Sequence, residues 1–305
     1  MTLRIREAVG EADLLASLEI YNAVWPREAV TAEETEAFYA ATTDHVELLA
    51  EVDGSVAGAG VGAVLPSRPE VALAFVTVRA ESRRRGAGSA LFAEIGRWAD
   101  AQGAAELEPR VAEDDERSLA YALKRGFQIV SRESGLDLDL RSVVPASVAP
   151  PDGIEIRPWD GGPELAAGMY EVAVESFPDV PGYEDEAIAP LAEWVAFHLG
   201  GPTAPPEATF VALAEGAVVG YAKLRISPAR PGAGTHSFTG VKRAWRGRGI
   251  AGALKRAQIA WAIDAGLERL ETGNEVRNEP IRRLNTQLGY RPVPGRILLR
   301  GPLAP

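Results

Sequence analysis

Apolar and polar residues alternate with period two in Leu3-Arg4-Ile5-Arg6 and again in Ile154-Glu155-Ile156-Arg157, which predicts a half-buried strand at the start of each half of the chain. A helical region follows in both halves. In the first it covers Glu11 to Val24 and then Ala32 to Thr42, the latter behind Thr31 as N-cap with Glu34 at the matching capping-box position. Hairpins come next. His45 to Val52 turns at Asp53-Gly54 into Ser55 to Gly58, and Thr209 to Leu213 turns at Glu215-Gly216 into Ala217 to Tyr221. A further strand, Leu73 to Val78 or His236 to Val241, runs into an Arg/Gly loop and a helix. Those helices are marked by Leu91, Ile95 and Trp98, or by Leu254, Gln258 and Trp261, and end at Gly103 or Gly266.

The shared order of parts reflects a shared sequence. Arg83-Arg84-Arg85-Gly86-Ala87-Gly88 returns as Arg246-Gly247-Arg248-Gly249-Ile250-Ala251, and the shift 249 − 86 = 163 also carries Val78 to Val241, Glu108 to Glu271 and Gly126 to Gly289. One folding unit has been duplicated, with its ligand site. Between the copies, Arg141 to Gly153 (RSVVPASVAPPDG) holds three prolines and no periodicity, so we expect domains at 1–141 and 154–305 joined by a stiff linker at 142–153. The second copy also carries a longer segment, Phe177 to Pro206, with a helix expected from Ile188 to His198. It reads either as a substrate-shaping wall or as a tolerated surface insertion.

Composition narrows the chemistry. The 305 residues are 46% hydrophobic and 25% charged, which is ordinary for about two globular domains. The absence of cysteine excludes disulfides, thiolate metal sites and cysteine nucleophiles, and His45, His198 and His236 are too scattered for a histidine-built metal cage. No apolar secretory region or membrane-length apolar run is present, so we expect a cytoplasmic protein without membrane partners. A net charge of −11 argues against nucleic-acid binding and leans towards cationic small substrates, although it also serves solubility.

The repeated loop sits where a strand meets a helix N-terminus, where unpartnered amides and the helix dipole favour an anion. Glycines bring the backbone close and the arginines add charge, which suits a diphosphate. GxGxxG does not match the spacing, and no Gly-Lys-Ser/Thr of a P-loop follows. What remains is R-x-x-G-x-G/A. A second motif lies in register: 40 residues after each loop glycine (126 − 86 and 289 − 249) come Lys124-Arg125-Gly126-Phe127 and Gln287-Leu288-Gly289-Tyr290, each ending a short helix that begins near Asp115 or Asn278. On these motifs the chain resembles the GCN5-related N-acetyltransferase (GNAT) superfamily, in the tandem plan shared by mycothiol synthase and other actinobacterial tandem GNAT proteins.

The resemblance implies an α+β (mixed α/β) fold of two tandem domains, each a central, mostly antiparallel mixed sheet flanked by helices. It implies acetyl-CoA as acyl donor, a primary amine of a small molecule or peptide as acceptor, and direct attack on the thioester in a monomer or homodimer. Coenzyme A contacts are implied for Thr77, Val78, Arg83, Arg84, Arg85, Gly86, Ala87, Gly88 and Ser89 in the first copy. In the second they are implied for Gly240, Val241, Arg246, Gly247, Arg248, Gly249, Ile250, Ala251, Gly252, Asn274, Asn278 and Asn285. A backbone amide at Val78 or Val241 would bind the acyl carbonyl oxygen. The family's tyrosine acid is replaced by Ala122 and Asn285, with Tyr121 one position away and expected mainly to pack in the core. The second copy keeps more polar residues and is expected to carry the chemistry, with Glu271 and then His236 as candidate general bases. The alternative is an acyl-CoA-binding protein in which one or both copies are catalytically silent, as a sensor or structural lobe.

Overall fold

A computed structural model describes residues 1–143, 149–181 and 188–304, so the expected linker at 142–153 and the expected insertion at 177–206 lie partly outside the described residues. In chain order the first elements are β1 (Leu3–Glu7), α1 (Gly10–Val24), α2 (Ala32–Ala40), β2 (Asp44–Val52), β3 (Ser55–Leu65), β4 (Arg68–Val78), α3 (Ala87–Ala101), β5 (Glu106–Ala112), α4 (Glu116–Leu123) and β6 (Gln128–Asp139). Then come β7 (Glu155–Pro158), α5 (Pro163–Ser176), α6 (Leu191–Trp194), β8 (Thr209–Ala214), β9 (Ala217–Ile226), β10 (Ala233–Val241), α7 (Ile250–Asp264), β11 (Arg269–Glu275), α8 (Glu279–Gln287) and β12 (Arg291–Arg300). This is the mixed, mostly antiparallel sheet flanked by helices, made twice.

Local signals act as the sequence suggests. Thr31 and Glu34 form the complete capping box of α2. At the hairpin tips Asp53 and Glu215 take positive φ ahead of glycines that do the same, the geometry of type I′ turns matched to strand twist. The helix expected from Ile188 to His198 starts later, at Leu191, and its α-helical turn passes into a π-helical turn at Val195–Leu199. Pro190 explains the delay, since a proline is favoured before a helix and disfavours helical geometry in the residue ahead of it.

The compact units are not divided at 142–153. One consists of Met1–Arg132 together with the segment from Arg296 onward, and the other of Glu133–Gly295. In the N-terminal unit β1 to β4 pair antiparallel in sequence order, β4 runs parallel to β5, and Arg296–Leu298 of β12 pairs antiparallel with Ala112–Arg110 of β5. In the C-terminal unit the order is β7, β8, β9, β10, β11, with β10 and β11 parallel, and Glu133–Asp139 of β6 pairs antiparallel with β11. Each unit therefore takes its last strand from the sequence that follows the other copy. Packing makes this tail integral to the first unit: Ile297 and Leu299 are buried in the core with Leu91, Ile95 and Phe127. At Gly96 a Cβ would lie 1.7 Å from the Leu303 carbonyl oxygen, so only glycine lets α3 and the tail come this close.

Candidate functional site

Both Arg/Gly loops reach their helices through a left-handed glycine, Gly86 with φ 86° at α3 and Gly249 with φ 82° at α7. Neither helix has a side-chain N-cap bond, so its first amides are offered outward and not taken up by a serine or aspartate. Ala87 and Gly88, and Ile250, Ala251 and Gly252, supply these first turns. The arginines have different duties. Arg83 Nε donates to Val78 O at 3.2 Å and Arg246 Nε to Val241 O at 2.9 Å, which braces the strand end against the loop identically in both copies. Arg85 pairs with Asp53, and Arg248 lies 4.7 Å from the centre of the Trp245 ring. Arg84 and Gly247 occupy one equivalent position, and both take positive φ. Asp179 bridges Arg243 and Arg246 at 2.7 Å to each, and hydrogen bonding to Arg243 first and Arg246 second pulls its pKa down to about 2.

The strands leading into the loops open an edge. β4 pairs with β5 only from Val71 to Ala74, and β10 with β11 only from Ala233 to His236. Arg79 N donates to Ala57 O and Lys242 N to Val219 O, and amides alternate sides along a strand, so the N–H groups of Val78 and Val241 face the side where pairing has stopped. Both expected carbonyl-binding amides thus face a parted edge. Thr77 is instead buried, its hydroxyl directed at Ala59 O. Gly240 lies where a Cβ would be 2.5 Å from the Phe238 ring and 2.6 Å from Ser176 Oγ.

The two expected bases are committed elsewhere. Glu271 is 6% exposed, bound to Arg230 and, at 3.2 Å, to Arg269. Its counterpart Glu108 is 5% exposed and held by Arg68 at 3.0 Å and Arg300 at 2.8 Å. Two copies with the same buried carboxylate, each gripped by two guanidiniums, point to a structural clamp and not to a proton acceptor. His236 is also closed off. Its Nδ1 meets Gln258 Oε1 at 2.9 Å, its Nε2 meets the Tyr290 hydroxyl at 2.5 Å, and Gln258 Nε2 donates to Ala208 O at 3.1 Å. This chain is satisfied when Tyr290 O–H donates to Nε2 and Nδ1–H donates to Gln258. Burial first, then the charge of Lys255, depresses the imidazole well below its ordinary pKa, so it stays neutral. Lys255 itself lies 5.4 Å from the Tyr290 ring centre, and burial lowers its pKa to about 7.

Beyond the loops the copies use different polar pairs. In the C-terminal unit Asn285, fully buried, donates Nδ2 to Asn274 Oδ1 at 2.5 Å, and its own Oδ1 has no partner among the described residues. Asn278 is the N-cap of α8 but makes no side-chain cap bond. In the N-terminal unit Tyr121 does not pack as a core residue: half-buried, it bonds Ser89 Oγ at 2.9 Å, and Arg125 stacks on its ring at 3.6 Å. The same two positions in the second copy are Gly252 and Leu284. A small pocket at the parted edge of the N-terminal unit is lined by Tyr21, Trp25, Glu28, Phe75 and Arg110, and Arg110 lies 5.0 Å from the Phe75 ring centre while reaching Glu28 at 3.7 Å.

Sequence reasoning missed Lys223 and Lys255, both buried lysines. A lysine inside an apolar strand run, Val218 to Leu224, was the available signal for the first. For the second it was a lysine where the other copy has Phe92.

The comparisons agree with this geometry. The family model described as "Acetyltransferase (GNAT) family" matches residues 14–127 and 166–290. A GCN5-related N-acetyltransferase from Sphaerobacter thermophilus superposes with a TM-score of 0.78 at 22% identity, covering 99% of this chain and 96% of that one. A tandem GNAT protein from the clavulanic acid biosynthesis pathway superposes with a TM-score of 0.76 at 19% identity, covering 100% and 99%. At these identities the likeness is one of fold. No protein of curated function matches the sequence.

Proposed function

Because the chain belongs to the GNAT acetyltransferase family and is an acyltransferase of that kind, we propose that it moves acetyl from acetyl-CoA to a primary amine of a small molecule or peptide, with the chemistry in the C-terminal unit. The observation that carries the choice of unit is the unpartnered Oδ1 of buried Asn285, beside Asn274 and in the unit whose Val241 N–H faces the parted edge. A buried acceptor without a donor costs about 1–3 kcal/mol, and an amide N–H of the pantetheine arm is the kind of group that would relieve it. The residues fit the rest of coenzyme A as well. Amides of Ile250, Ala251 and Gly252 behind Gly249 would take the diphosphate, with Arg248 adding charge. Bound acetyl-CoA supplies an activated acyl thioester. Val241 N–H would meet the carbonyl oxygen as it gains negative charge, and holding amine and carbonyl together accounts for much of the rate.

Glu271 and His236 are left out of the proton chemistry on this reading. Glu271 fixes Arg230 and Arg269, and His236 ties α7, through Gln258, and the turn after α8, through Tyr290, to β10. One observation favours a silent role for the N-terminal unit: the small pocket at that unit's parted edge has Arg110, already paired with Glu28, in its wall. Consumption of acetyl-CoA suits action in the cytoplasm. Calorimetry with acetyl-CoA and thiol release over a panel of amines test the reading. Asn285→Leu is expected to lower turnover by about tenfold or more through the loss of a hydrogen bond to the cofactor arm. Full activity in Asn285→Leu would overturn the assignment to this unit.

A further inference from the structure

Lys223 lies on β9 directly across from Phe238 on β10 and is 5% exposed. Its ammonium makes no hydrogen bond or ion pair among the described residues, while its carbonyl oxygen accepts from Ser237 Oγ at 3.4 Å. Around it are two further basic groups: Arg225, two residues along the same strand and so on the same face, and His198 in the π-helical turn. Arg225 is exposed, and its Nε donates to Thr203 Oγ1 at 3.2 Å. The wall is aromatic. Tyr221 stacks on Phe238 at 4.6 Å, Trp194 meets Tyr221 edge-on at 6.2 Å, and His198 meets Trp194 at 5.4 Å. The equivalent place in the N-terminal unit, opposite Phe75, is Val61. A cation sunk into an aromatic surface without a carboxylate partner costs stability, and a ligand bearing the opposite charge offsets that cost.

Resting on the reading of the C-terminal unit as the acetyltransferase, we propose that its acceptor is an amine carrying a carboxylate, with an apolar body, and that Lys223 binds the carboxylate with Arg225 at the rim. Strand register puts Phe238 three residues from Val241, about 10 Å along β10. The four-carbon lysine stem and the acceptor together have to bridge that distance, which favours an acceptor whose amine and carboxylate lie several bonds apart, its amine at the acyl carbon and its carboxylate on Lys223. The net negative charge of the chain had pointed to cationic acceptors, but local charge decides recognition, and beside the neutral phenol of Tyr221 the described ionisable groups around this spot, Lys223, Arg225 and His198, are basic. Burial, then the charge of Arg225, lowers the Lys223 pKa to about 7, and burial, then the charge of Lys223, lowers that of His198 to about 4. An arriving carboxylate raises the lysine again, so binding above neutrality takes up a proton.

The test uses the full chain with acetyl-CoA and matched acceptors: α-, β- and γ-amino acids, their carboxamides and their decarboxylated amines, together with N-acetyl amino acids for binding alone. The carboxylates are expected to exceed their carboxamides in kcat/KM by about tenfold or more, the worth of a charged hydrogen bond. Lys223→Met should bring that ratio close to unity while acetyl-CoA affinity stays unchanged. Calorimetry of the N-acetyl amino acids at pH 8 in buffers of different ionisation enthalpy should show uptake approaching one proton in wild type and none in Lys223→Met. Three results would overturn the inference: a preference for the uncharged amines, an equal loss on all acceptors in Lys223→Met, as for a general base, or no carboxylate-linked proton uptake in wild type. Loss of acetyl-CoA binding in wild type would instead sink the acetyltransferase reading, so the two failures are distinguishable.

Discussion

The N-terminal and C-terminal units have the same loop, brace and carboxylate clamp, yet behind the loop one is oily and the other polar. At the constant shift of 163, Phe92, Ile95, Val111, Ala122 and Phe127 of the first become Lys255, Gln258, Asn274, Asn285 and Tyr290 of the second, and strand register sets Ala74 opposite Pro109 as it sets His236 opposite Thr272. Ala74, Ile95, Val111, Ala122 and Phe127 belong to one apolar cluster between α3, α4 and the sheet, and Phe92 packs against it. The second set is joined by hydrogen bonds from Ala208 through Gln258 and His236 to Tyr290, and from Asn285 to Asn274. Since the apolar version folds the same elements, the fold does not require the polar one. What the polar version adds is a buried acceptor at Asn285 and neutral, narrowly satisfied groups around it, features that suit a ligand more than a core.

The largest effects are expected where the copies agree. Glu108→Leu or Glu271→Leu leaves arginines without their carboxylate and should cost about 3–5 kcal/mol in denaturant unfolding. Glu271→Gln should be milder in stability and should retain turnover. Abolished turnover in an otherwise stable Glu271→Gln protein would restore that residue as a base.

Next come the positions where the copies differ. His236→Leu alone strands Gln258 and the Tyr290 hydroxyl and should cost about 1–3 kcal/mol, whereas the joint change of His236→Leu, Lys255→Phe, Gln258→Ile and Tyr290→Phe, which makes this core apolar like that of the N-terminal unit, should recover most of that loss. A quadruple variant much less stable than His236→Leu would show that the cores are not interchangeable. A pH dependence follows with a fixed sign. Lys255 falls from an unfolded value near 10.5 to about 7 in the fold, so between these the unfolded chain holds more protons and stability rises with pH. His236, also depressed, extends the loss to acid below about 6.5. Urea unfolding from pH 7 to 9.5 should therefore show a rising slope that is about halved in Lys255→Met, because Lys223, also depressed to about 7, supplies the other half. The smallest effect belongs to the N-terminal hydroxyl pair: Tyr121→Phe should change turnover less than about twofold, because it lies in the unit without the proposed chemistry.

Local features were legible in the sequence because their determinants are local. A left-handed glycine before a helix, a Thr–Glu capping box and a two-residue turn each leave a signature within a few positions, and the loops at Gly86 and Gly249 and the turns at Asp53 and Glu215 formed where the pattern put them. Long-range choices were not. Nothing in Arg296–Leu303 marks it as belonging beside β5, because an edge strand is assigned by which unit has an open edge, and so the compact units do not follow the proline-rich segment. Glu271 looked available for catalysis because its partner Arg230 lies 41 residues away in a loop. The polar network was visible in principle, as the set of buried positions where the two copies differ in polarity.

The central claim, that both loops are built alike but only the second serves acyl transfer, is tested most directly by acetyl-CoA-dependent thiol release in Gly86→Trp and Gly249→Trp, read beside acetyl-CoA binding in each. Loss of turnover in Gly249→Trp with turnover largely kept in Gly86→Trp is the predicted result. Turnover abolished by Gly86→Trp and retained in Gly249→Trp would contradict the account.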